Sequence, residues 1–143
     1  MNTIAQDSAA LLAPTNSVIG KDAAALVGRI LLATIFILSG VSKLGAVDGT
    51  IGYITSVGLP FAGAIFYAVV ALEIAGGFAL AFGIKPRLIA ASLGAFSIMA
   101  AVIFHSDFSD QNQMIHFLKN VAIAGGLFQV VAFGPGRLAI SRN

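Results

Sequence analysis

The chain has 143 residues, 58% of them hydrophobic and only 10% charged, against roughly 25% charged residues in soluble domains. That balance excludes a water-soluble fold, because a core of this size has no room for so much apolar side chain. A formal charge of +2 with no basic face excludes nucleic acid as a partner, and the lack of cysteine excludes disulfides, thiolate metal sites and thiol relays.

Residues 1–22 are polar and mixed, without a basic stretch ahead of an apolar one, and read as a flexible cytoplasmic arm rather than a cleaved signal peptide. The domain proper is expected over 23–137. Its first apolar block, 23–44, carries Arg29 and, near its end, Lys43. Gly45 to Pro60 is neither a long apolar run nor a plain loop. Asp48 can cap a short helix whose Ile51, Ile54 and Val57 fall on one side, with Gly58 ending it and Tyr53 at the membrane interface. The block 61–84 has Glu73 as its only charge and exceeds the roughly 20 apolar residues a helix needs to cross the hydrocarbon. Pro60 is expected at its first helical position.

Lys85-Pro86-Arg87 marks a tight turn into the uncharged block 88–104. The last block, 114–133, is apolar but carries His116, Lys119, Asn120 and Gln129, and Gly134-Pro135-Gly136 stops it, leaving 138–143 as a cytoplasmic tail. The fold class that follows is all-α: an integral membrane four-helix bundle with a short interfacial helix between the first two spans. Lys21, Lys85, Arg87, Arg137 and Arg142 share one side of such a bundle, so the positive-inside rule puts both termini in the cytoplasm.

Ionisable residues at bilayer depth cost at least ~2.5 kcal/mol each on insertion scales and therefore face the bundle interior and pair. Arg29, Glu73, Lys119 and Asn120 form the candidate intramembrane polar site, with Lys43, His105 and His116 as an outer rim. Arg29, Phe36, Gly40 and Lys43 lie on one stripe of the first span, and Gly76 and Gly77 clear space beside Glu73. A long Arg side chain is expected to reach Glu73. Such a pair serves either as a scaffold ion pair that sets helix register or as part of a polar pocket for a quinone, a proton relay or a small polar ligand. His105 and His116 lie at similar depth, but no third ligand or CxxCH run accompanies them, so no metal or haem is expected. No phosphate loop, nucleophile elbow or triad spacing is present.

The stretch Ser39-Gly40-Val41-Ser42-Lys43 after Arg29, Asp48-Gly49-Thr50 through Gly58-Leu59-Pro60, Glu73 before Gly76-Gly77, Lys119-Asn120 with Ala124-Gly125-Gly126, and Gly134-Pro135-Gly136-Arg137 resemble the DoxX family. The resemblance runs from about Gly28 to Ile140. It implies a small four-helix bacterial inner-membrane protein with Arg29, Glu73, Lys119 and Asn120 as characteristic polar positions. It further implies a membrane component or accessory subunit of an oxidoreductase that meets the quinone pool, works beside a redox partner protein and sits in the lipid bilayer. The alternative is a small-solute transporter or a purely structural membrane partner.

Overall fold

The computed structural model describes the backbone of residues 3–141 and the side chains of residues 20–141. Among the described residues five helices follow one another: α1 (Thr3–Leu44), α2 (Val47–Ser56), α3 (Ala62–Phe82), α4 (Pro86–Phe104) and α5 (Gln111–Phe133). Four of these contain stretches long and apolar enough to cross a membrane, namely Gly20–Leu44, Ala62–Phe82, Pro86–Phe104 and Gln111–Phe133. The environment of the bundle is thus a lipid bilayer, where a helix satisfies its own backbone groups without water. Leu31, Leu38, Tyr67, Leu88, Val102 and Phe133 point outward from it, each more than half exposed. Helix α1 begins at Thr3, so the backbone of residues 3–22, expected as an arm ahead of the first span, continues that span's helix, and most side chains of 1–22 lie outside the described residues.

The ends of the spans follow local chemistry. Gly83 at φ 71° and Gly134 at φ 85° close α3 and α5 in backbone regions that suit glycine. Pro86 opens α4, where its missing N–H costs nothing. The Asp110 carboxylate accepts from the Asn112 N–H at 2.7 Å and caps α5. Just before it, the Ser109 hydroxyl and then its N–H hold the Asp107 carboxyl below its usual range. Two expected caps are corrected. Helix α2 starts one residue before Asp48, with Ala46 at the cap position and no side-chain cap bond. Helix α3 starts at Ala62 behind Phe61 at φ 55°, leaving Pro60 in the preceding turn.

Packing groups the spans into two close pairs, α1 with α3 and α4 with α5. Glycines let the members of each pair approach. A Cβ on Gly40 would lie 2.6 Å from the Ile74 side chain, one on Gly77 would lie 2.6 Å from Ile37 and 3.2 Å from the Ala33 carbonyl, and one on Gly94 would lie 2.8 Å from Phe128. Between the pairs lies a core of Ala33, Phe36, Leu80, Ala90, Leu93, Leu127 and Val130.

The glycine contacts also set the register of α1 on α3. With Gly40 against Ile74 and the helices antiparallel, Leu44 ends opposite about Val70, so α3 continues for roughly 12 Å beyond α1. Helix α2 fills that gap. Its Ile54 is buried with Phe66 and Val70 from α3, and Val47, Ile51 and Leu59 pack around them. Tyr53 donates from its hydroxyl to the Phe104 carbonyl at 2.9 Å, tying α2 to the end of α4. At the opposite end the chain after α5 runs across the bundle, where the N–H groups of Ile140 and Ser141 donate to Phe82 and Gly83. The Arg137 N–H donates to Asp22.

Candidate functional site

The stripe read on α1 faces inward as expected: Arg29 and Phe36 are buried, and Gly40 touches Glu73 as well as Ile74. What the charges on it do differs from expectation. Arg29 does not reach Glu73. Its Nη1 donates to the carbonyls of Leu80 at 3.2 Å and Ala81 at 3.3 Å, and its Nη2 donates to the Leu138 carbonyl. The helix register is the reason. Arg29 lies opposite the last turn of α3, where the Leu80 carbonyl accepts only the Gly83 N–H of the cap and, among the described residues, Ala81 accepts no backbone N–H. The dipole end there favours a cation, while Glu73 lies about two turns farther along α3.

Glu73 pairs with Lys43 instead. The Lys43 Nζ lies 2.8 Å from Oε1 and 2.9 Å from Oε2, and donates also to the Ser39 hydroxyl at 2.7 Å. Ser39 in turn donates to Oε1 at 3.1 Å. Lys43, assigned to an outer rim, therefore folds down α1 into the bundle, because α1 ends short of α3 and its last turn already lies at depth. The Glu73 side chain is 4% exposed and that of Lys43 27%, so one member of the pair is sealed and the other partly open.

A cavity of about 610 Å³ opens beside this triad, between the two helix pairs and under α2. Phe66, Phe96, Phe104 and Ile65 make up much of its apolar wall. Ser39, Lys43 and Glu73 supply one polar pole, and His105, His116, Lys119 and Asn120 line it from α4 and α5. The two imidazoles stack with centroids 5.1 Å apart, and His105 Nδ1 is 2.7 Å from Gln113 Oε1. Asn120 donates to the His116 carbonyl at 3.0 Å. Among the described residues no three metal-ligating side chains converge, and Lys119 has no hydrogen-bond or ion-pair partner. Of the four positions grouped as an intramembrane site, Glu73, Lys119 and Asn120 share the cavity and Arg29 stands apart at the other end. Sequence reasoning passed over Ser39 as a site residue, although its place one turn before Lys43 on the Phe36 and Gly40 side was the signal for it.

The DoxX family model matches residues 24–106. The chain belongs to the DoxX family. It is 35% identical over 122 residues to the inner membrane protein YqjF of Escherichia coli, covering 85% of this chain and 92% of that one. It is 32% identical to the inner membrane protein YphA of the same organism, covering 82% and 88% respectively. A shorter likeness, 33% identity over 75 residues, covers 52% of this DoxX chain and 54% of a Bacillus subtilis protein named "Putative oxidoreductase CatD". No solved structure matches the chain significantly.

Proposed function

We propose that this DoxX protein is a multi-pass component of a bacterial inner-membrane oxidoreductase system and holds a quinone in the cavity beside Glu73. The observation that carries the reading is the cavity itself. At about 610 Å³ it falls within the roughly 300–1,000 Å³ of small-molecule sites, and like them it is mostly apolar with a few polar groups. An aromatic wall suits a flat ring and an isoprenoid tail, and the polar groups suit ring oxygens. The location follows the two inner-membrane relatives, and the oxidoreductase part follows the name of the Bacillus relative. Electrons would come from a partner protein. Organic extraction of the purified protein followed by mass spectrometry should recover quinone in near-stoichiometric amount, well above that from an unrelated four-span protein purified alongside. Equal recovery from both would sink the proposal.

The orientation belongs to the same reading. Both termini face the cytoplasm, so the cavity lies in the half of the bundle that faces the periplasm. Single cysteines placed at Asp48, Lys85, Asp110 and Ser141 should react with an impermeant reagent from outside only at Asp48 and Asp110. Labelling at Lys85 in intact cells would reverse the orientation.

A further inference from the structure

We infer that Lys119 makes the cavity select a quinone that carries an ionised ring hydroxyl over a neutral quinone of the same shape. The inference rests on the quinone-site reading above and names the charge of the ligand that the site prefers.

It comes from the charges on the cavity wall. Three charged side chains line it: Lys43, Glu73 and Lys119. Lys43 and Glu73 sit 2.8 Å apart and cancel each other. With His105 and His116 counted as neutral, Lys119 leaves the wall one positive charge in excess. Nothing nearby offsets it. Asp107 accepts from Ser109, and Asp110 caps α5. Among the described residues no carboxylate, carbonyl or hydroxyl meets the Lys119 ammonium, whereas the other deep cation, Arg29, holds three carbonyls.

Depth makes that exception costly. Lys119 comes eight residues after Gln111, the first of α5, roughly 12 Å along the helix, and α5 is a membrane span. Lone cations at bilayer depth are rare and face a partner or a cavity; this one lines a cavity. A neutral ring carbonyl can accept from Lys119. An oxyanion accepts with charge on both partners and also cancels the excess on the wall. Phe66, Phe96 and Phe104 receive the ring of either ligand alike, so the apolar wall does not discriminate. Glu73 opposes the anion little, because Lys43 neutralises it in place. The choice therefore falls to Lys119.

The test uses the full chain in nanodiscs of zwitterionic lipid and two naphthoquinones of nearly equal size, one with a ring hydroxyl that is ionised at neutral pH and one with a methyl group in its place. Binding is read against empty nanodiscs, which corrects for partition into lipid. The anion should bind at least about tenfold tighter, the difference expected of an ion pair over a neutral acceptor. Lys119→Met should bring the two affinities together by weakening the anion alone, and Lys119→Arg should keep most of the preference. Equal binding by the wild-type protein, or tighter binding of the methyl compound, overturns the inference and leaves the quinone site standing. A preference that survives Lys119→Met overturns it as well. Binding of neither compound removes the site and the inference together. The wild-type comparison holds even where Lys119→Met fails to fold.

Discussion

Replacing Arg29 by Met is expected to be the most destabilising single change in the bundle, by about 3–5 kcal/mol, in the range for breaking a buried charge network. Arg29 is 1% exposed, and its guanidinium holds three carbonyls from two separate segments. Its loss leaves the Ala81 and Leu138 carbonyls without their donor, while Leu80 keeps its bond from the Gly83 N–H. Gly83 has its glycine position filled by this side chain, since a Cβ there would lie 2.5 Å from Arg29 Nη1, so Met leaves a void as well. Arg29→Lys should recover only part of the loss, because one ammonium does not reproduce a planar fork reaching two segments. Unfolding of the variants in mixed detergent micelles gives the cost. Protease cleavage within residues 137–141 reports whether the C-terminal segment comes free. A loss below about 1 kcal/mol for Met, typical of a surface change, would mean the clamp carries little.

The second large effect is a sign as much as a size. Lys43→Met should cost about 2–4 kcal/mol, because it strands the Glu73 carboxylate, which is 4% exposed. Glu73→Gln should cost less, about 1–2 kcal/mol, since the Lys43 side chain is 27% exposed and can turn its ammonium toward water. The double variant removes both charges and should lose less than the two single losses added, with a coupling of about 1–3 kcal/mol. Additive losses would show that the two charges act independently. Arg29→Met with Glu73→Gln serves as the control, and it should be additive because the two residues share no contact.

The same pair of experiments separates scaffold from site. Arg29 variants should weaken the bundle while leaving the cavity's ligand affinity per folded molecule unchanged, because the residue works at the opposite end. Lys43 and Glu73 variants should change both.

The sequence by itself determined the class of the fold. Runs such as 61–84 with one charge have no stable place outside a bilayer, and the Lys85-Pro86-Arg87 turn and Gly134 mark helix ends by backbone chemistry that acts over a few residues. It also placed Arg29, Phe36, Gly40 and Lys43 on one inward stripe, since helical phase needs no neighbours to be known. Partner choice was beyond it. Depth counted from each helix end assumes that all helices end at the same level, and on that assumption Arg29 and Glu73 are neighbours. Only the tertiary structure decided the stagger, through close contacts at Gly40 and Gly77 that slide α1 along α3. That slide sends Arg29 to the carbonyls ending α3, brings Lys43 down to Glu73, and leaves the space under α2 that becomes the cavity. A helix carries its phase in its own sequence, but its offset against another helix belongs to the packing of both.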